Sequence, residues 1–421
     1  MSYRASDGTR QWDGSKKVPE ERMAVKMQCF ARTGITPDIA GADLSYALKL
    51  QYARWKAKGL ESTIEIVPYG KAKPYMPTKG SSWNDEKYSH ERRVDVGKKT
   101  QKYFKDGACI HTRERVVTIY AIVTNTTAEN SVVENDFYCC PSCGASSRIR
   151  ELMTGCPYCQ TKFRMPDLFP KVTNFYLYEQ DSAQPKLFPI AAIIGTIVAV
   201  LYVVVFGIIK HGGFGFWIIL SAILLGAFVG YMGTNLFCLG YMIYKAAQGI
   251  GEIRGSKKAE RKIEKRIKAI DRTFSYKLFE GQLISFLKMT LFTDDVKNLA
   301  CFEGTHVPDK YRDLMDMDYQ GAVRLNDIET TEDVVKLNMS VLLLNTYFVN
   351  NKIKVKREKI MLQVAKKVSA PNDAGFSIKK VECRNCGGSF DGSHQRICPF
   401  CHNVYDMKDE SWVITKIGGY L

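Results

Sequence analysis

The chain has 421 residues, 45% of them hydrophobic, and a formal net charge of +16. A surplus of that size points first to anionic lipid headgroups and second to nucleic acid. The 13 cysteines are an odd number, which excludes a disulfide framework that uses them all.

Residues 1–22 are polar and expected to be disordered, and residues 1–30 lack the apolar segment of a secretory signal. Leu44, Leu48, Tyr52 and Trp55 recur at helical spacing, predicting an amphipathic helix over about 42–57. Ser62–Val67 alternates as a strand does. Residues 68–100, rich in Pro, Gly, Lys and Ser, read as a surface linker. Arg115–Thr124 is rich in β-branched residues and predicts a buried strand, with Val132–Tyr138 and Val172–Glu179 as further strands.

Between those last two strands lies Cys140-Pro-Ser-Cys143, twelve residues, then Cys156-Pro-Tyr-Cys159. Each CxxC turn presents two thiolates to one ion, and two such knuckles make a closed tetrahedral site. The competing readings are a thiol–disulfide pair or unliganded cysteines. Cys139 breaks the spacing and is left out.

Leu187–Ile209 and Phe214–Tyr244 carry no charge, and Lys210, His211, Gly212 and Gly213 separate them. A bilayer core needs about 20 apolar residues per helix. The expectation is a two-helix transmembrane hairpin over 187–244, with both chain ends on one side. Gly226 and Gly230 would let its helices approach closely. Nine Lys/Arg against four Asp/Glu lie between Glu252 and Arg272, and short basic flanks stay cytoplasmic. Both termini are therefore expected in the cytoplasm, at the cell membrane. Ala259, Ile263, Ile267 and Ile270 stripe a basic helix over 250–270. It either lies on anionic lipid or packs the stripe on the next domain.

Residues 271–318 read as helical, with Leu283, Phe286, Leu287, Leu291 and Leu299 as core. Strands follow at Gly321–Ile328, Asp333–Phe348, Lys352–Lys366, Phe376–Glu382 and Ser411–Ile417. A second cysteine module, Cys383-Arg-Asn-Cys386, eleven residues, then Cys398-Pro-Phe-Cys401, sits between the last two strands. Strand–ribbon–strand thus occurs twice, a hint of internal duplication. The expected ligands of two structural zinc ions are Cys140, Cys143, Cys156 and Cys159, and Cys383, Cys386, Cys398 and Cys401. Cys398–His402 also fits the spacing of c-type haem attachment, but the pair Cys383/Cys386 favours zinc. The other histidines are scattered, and there is no Gly-rich phosphate loop, GxSxG or HExxH. No enzyme is expected, and no small-molecule substrate is identified.

Asp271, Phe274, Ser275, Phe279, Asp294, Asp295 and Phe302, with the closing Trp412–Ile417, resemble the domain named for subunit 44 of the mitochondrial inner-membrane translocase. Bacterial members often carry a CxxC…CxxC ribbon before the last strand. Gly155–Phe163 and Leu168–Phe175 also resemble bacterial proteins of this type. The resemblance covers about residues 271–417. It implies a nuclear-transport-factor-two-like cone, with helices on a curved antiparallel sheet around an apolar pocket. In mitochondria the family member is a peripheral adapter that binds anionic membrane and recruits a chaperone motor to an import channel. The long N-terminal half and the hairpin depart from that pattern.

The expected protein is therefore α+β. It has a mixed region at 1–110, strands with the first zinc ribbon at 111–180, the hairpin, the basic helix, and the 271–421 domain with the second ribbon inserted. The expected function is a membrane-anchored, non-catalytic adapter with an unknown protein partner, linked to protein translocation or membrane-protein assembly. The alternative is a membrane-tethered module that binds nucleic acid or the ribosome.

Overall fold

A computed structural model describes residues 19–68, 80–84, 88–126, 137–140, 145–160, 171–179, 187–211, 258–270 and 276–369, most of 380–418, and scattered positions at 216–240 and 274. The chain forms two compact units, residues 181–255 and all the rest.

The larger unit is α+β with two antiparallel sheets. Its N-terminal half opens with α1 (Pro19–Thr33) and α2 (Ala42–Ala57). The strands β1 (Leu60–Pro68), β3 (Tyr88–Lys105), β4 (Ala108–Thr126) and β7 (Lys171–Glu179) pair in that order, and β2 (Ser81–Asn84) adds to β3. The described part of the expected linker is thus strand at 81–84 and 88–100, and residues 69–79 and 85–87 lie outside the described residues. From Asp95 to Tyr103 its buried positions are Asp95, Gly97, Lys99, Gln101 and Tyr103, a period of two with polar residues inside. Between β4 and β7 lie β5 (Phe137–Cys139), β6 (Ser146–Arg148) and α3 (Ile149–Thr154).

In the smaller unit, α4 (Leu187–His211) runs for 25 residues. Its described side chains are largely exposed and apolar, with Ile193 at 60%, Leu201 at 58% and Ile209 at 77%. Among the described residues no helix is long and apolar enough to cross a membrane. The side chains at 187–192, 199, 203, 207, 208 and 211 lie outside the described residues. Of the second run only isolated helical positions are described, and Gly226 and Gly230 lie outside. The expected two-helix hairpin is therefore not supported.

The C-terminal half opens with α5 (258–268) and α6 (Tyr276–Phe292). Ala259, Ile263 and Ile267 are buried, and the last two join the core under α6. This corrects one reading of the basic helix: its stripe is spent on packing, while Arg261, Lys262, Lys265, Arg266 and Lys268 face solvent. The strands β8 (Leu314–Thr330), β9 (Val334–Val349), β10 (Lys352–Lys367) and β13 (Val413–Ile417) pair in that order, with β11 (Lys380–Glu382) and β12 (Ser389–Asp391) between the last two. The expected helical stretch therefore ends early, at Phe292, and the sheet begins at Leu314. Both ribbons sit where expected, before a closing strand.

Among the described residues both halves run two helices, three strands that neighbour one another in the sheet, a cysteine ribbon and one closing strand, and the first half adds β2 on β3. The central hairpins match too. Asp106 and Gly107 turn β3 into β4, and Asn350 and Asn351 turn β9 into β10, all at φ between 50° and 77°. Two-residue loops of this hand suit the strand twist, and Asn, Asp and Gly tolerate that backbone.

The halves share one body. The Trp55 Nε1–H donates to the Met315 carbonyl. Arg54 donates to the carbonyls of Phe292 (3.1 Å), Arg312 (2.9 Å) and Tyr311 (3.2 Å), and pairs with Asp294 at 3.0 Å. It thereby satisfies a carbonyl at the end of α6 that the helix leaves open. A Cβ added at Gly281 in α6 would lie 3.0 Å from Asn174 Cβ and 3.3 Å from the Thr173 carbonyl, tight enough that β7 would have to give way slightly. The residues of the family resemblance have structural places. Phe279 meets Trp412 edge-on at 5.1 Å, and Phe302 is buried and bridges to Ile414. Ser275 and Asp271 lie outside the described residues.

Candidate metal centres

The second ribbon gathers Cys383, Cys386, Cys398 and Cys401 with all four Sγ atoms within 4.8 Å of one another. Cys383 and Cys401 are 3.5 Å apart, and Cys386 and Cys398 3.7 Å. A disulfide would need about 2.05 Å. Four sulfurs at about 2.3 Å from a central tetrahedral ion lie about 3.8 Å apart, so the donor set fits one ion.

Local backbone explains how the sequence makes the turns. Gly387 N–H donates to the Cys383 carbonyl at 2.8 Å, and His402 N–H to the Cys398 carbonyl at 2.9 Å. Gly387 and His402 both hold positive φ, 70° and 59°. The residue after each CxxC thus curls the chain back over the sulfurs. His402 spends its backbone on this turn. Cys401 is lowered to about 6, first by the Asn385 side chain and then by the Asn403 N–H, which favours thiolate.

Asn298 of the body meets this ribbon with both its backbone and its side chain. The Asn298 carbonyl accepts from Arg396 N–H at 2.7 Å, and its Oδ1 from Ile397 N–H at 2.9 Å. Phe390 and Tyr405 pack edge to face at 5.9 Å beside the cysteines.

In the first ribbon Cys140, Cys156 and Cys159 form a second group, with Cys140 and Cys159 at 3.7 Å. Cys143 lies outside the described residues. Gln160 repeats the knuckle turn, at φ 60°, with its N–H on the Cys156 carbonyl at 2.8 Å. Burial pushes the Cys156 thiol up, but the backbone N–H groups of Cys159 and Tyr158 and the Cys140 side chain draw it below its usual value. Leu152 is fully buried against Cys140 and Cys156.

A separate cluster went unread in the sequence. Lys99, Asp316, Asp318, Gln101, Tyr103 and Glu179 are all largely buried where the halves meet. Lys99 pairs with Asp318 at 3.2 Å, and Gln51 and Gln101 donate to Asp316 at 2.7 and 3.3 Å. Arg113 pairs with Glu179. Burial opposes the Lys99 charge, but Asp318, Asp316 and Glu179 outweigh it and hold the ammonium above its usual value. Asp318 and Glu179 are both raised, mainly by burial, against the pull of Lys99. A cavity of about 30 Å³ adjoins this cluster, walled by Met23, Phe30, Leu48, Ile66 and Phe175. That volume holds a water or two, far below the several hundred Å³ of a small-molecule site. The one legible signal was Asp316 and Asp318 alternating with Met315 and Met317 in an apolar run.

No protein-family model, curated protein or solved structure matches this chain. Fold and site together define a two-sheet α+β protein with two cysteine groups that could hold metal ions.

Proposed function

We propose that this protein is a membrane-anchored, non-catalytic adapter whose two cysteine ribbons hold structural zinc. The exposed apolar face of α4 carries the anchoring part of the reading. Ile193, Ile197, Leu201, Val205 and Ile209 recur along it with more than half of each residue exposed. Contiguous apolar surface of that kind is costly in water and is stabilised by lipid or a partner. The 187–244 segment then holds both chain ends at the cytoplasmic face, and the cations of α5 meet anionic headgroups.

Zinc suits an all-thiolate, four-cysteine donor set in a reducing compartment, and a closed set leaves no open position for hydrolytic chemistry. In the buried cluster Asp318 and Glu179 pair with Lys99 and Arg113, and Asp316 accepts from Gln51 and Gln101, beside a cavity too small for a substrate. The C-terminal half, with helices on an antiparallel sheet, is consistent with the resemblance to the translocase subunit 44 domain and its protein-binding role.

A photo-crosslinker placed on the exposed surface of residues 276–417 in intact membranes tests the reading. A defined protein adduct that survives high salt is expected. Adducts to RNA that vanish at high salt would transfer the protein to the nucleic-acid reading instead.

A further inference from the structure

The edge of the second sheet is only partly closed. β13 pairs with Leu362–Ala365 of β10, and among the described residues no strand pairs with that edge over Lys352–Met361. β10 pairs with β9 without a register break from Lys352 to Lys367, so its backbone groups alternate regularly between the two sides. Gly418 N–H donates to the Met361 carbonyl at 2.8 Å, and Thr415 Oγ1 to the Gln363 carbonyl at 3.3 Å. Odd-numbered residues of β10 therefore turn their N–H and C=O groups to the open edge, which places those of Ile353, Val355 and Lys359 there.

The side chains along this edge are cationic. Lys352, Lys354 and Lys356 project from one face, Arg357 and Lys359 from the other, and all five are exposed. Among the described residues the four lysines have no ion-pair partner. The single acid, Glu358, is already held by Tyr347 Oη–H, by Asn345 Nδ2 at 2.8 Å and by Lys310 at 3.6 Å.

We infer that this edge takes an extended acidic peptide segment of a partner protein as an added strand. Successive residues on one face of a strand are about 6.7 Å apart in both host and guest. Carboxylates at every second guest position therefore fall in register with Lys352, Lys354 and Lys356, while the guest backbone meets the outward groups of β10. A second copy of this edge would set lysine against lysine, the usual protection of an open strand against self-pairing. Single-stranded nucleic acid fits the charge but not the surface. Tyr347 and Phe348 beside the lysines are buried, so this edge offers no stacking platform. The inference gives the adapter reading its docking surface and rests on it.

The test uses the full chain in neutral detergent and a fluorescent ten-residue peptide alternating Glu with Val, followed by polarisation. Binding is expected, weakened at least tenfold by Lys354→Glu with Lys356→Glu, and by Val355→Pro. Proline at 355 removes an outward N–H and leaves the pairing with β9 intact. Metal content and circular dichroism check that each variant folds. Independently of them, a peptide N-methylated at alternate residues on its pairing edge should lose binding to the unaltered protein. Equal binding of plain and methylated peptides, or of the unaltered and a folded Val355→Pro protein, would reduce the edge to a charged patch and overturn the inference. So would no peptide binding at low salt, or binding of an RNA oligomer in its place. Those failures leave the crosslinking result in membranes untouched, so the docking surface and the adapter role fail separately.

Discussion

Replacing Lys99 by Met leaves Asp316, Asp318 and Glu179 facing one another across the same buried space. Asp318 and Glu179 already sit above their usual range, and losing the cation raises them further. Acids raised in the folded state stabilise the fold below their unfolded values and lose that contribution as pH rises through the folded ones. The variant should therefore lose roughly 3–5 kcal/mol at pH 8, the usual cost of breaking a buried pair, and recover much of it below about pH 5. Denaturant unfolding across that range checks both size and sign. The unaltered protein should lose the Lys99 contribution only in strong alkali, because that ammonium is raised. At the cysteines the expectation is different in kind. Cys383→Ser should lower bound metal by one ion per chain and open residues 383–401 to protease, since metal binding there supplies folding free energy. Elemental analysis with limited proteolysis reads both, and full metal content with full resistance would remove the ligand assignment.

Among the elements, β3 explains where sequence reading stops. Its inward positions are Asp95, Gly97, Lys99, Gln101 and Tyr103, so the usual apolar alternation is replaced by a polar one facing a buried charge cluster. Composition alone makes such a stretch look like a solvated linker. The helix Ala42–Ala57 and the strand Leu60–Pro68 were legible because Leu44, Leu48 and Trp55 in one and Ile64 and Ile66 in the other face inward, beside buried Gln51, Arg54 and Ser62. The cysteine knuckles were legible because their spacing is set by covalent geometry. The left-handed residue after the second knuckle of each ribbon was not, since Gln160 and His402 are not glycine. Between the elements, α6 meets β7 over Gly281. Gly281→Val should destabilise by about 1–3 kcal/mol, the usual cost of overpacking, despite the gain in helix propensity over glycine. Unchanged stability on denaturant unfolding would mean that this approach is looser than the 3.0 Å separation implies.

Over the whole molecule, one arrangement of helices, sheet and ribbon occurs twice, and the two halves close on each other through Arg54, Trp55 and Gln51. The strand–ribbon–strand repeat in the sequence caught only the ribbon end of this, because the matching hairpins and helices share geometry rather than residue identity. The second unit, 181–255, carries the exposed apolar helix on which the proposed anchoring depends. Flotation with anionic vesicles compares the full chain with one in which residues 187–244 are replaced by a flexible Gly-Ser linker. The full chain should float and stay bound in high salt and alkaline carbonate, while the replaced chain should remain in solution with both metal ions. A full chain released by salt alone, or a replaced chain that still floats in high salt, would contradict the account.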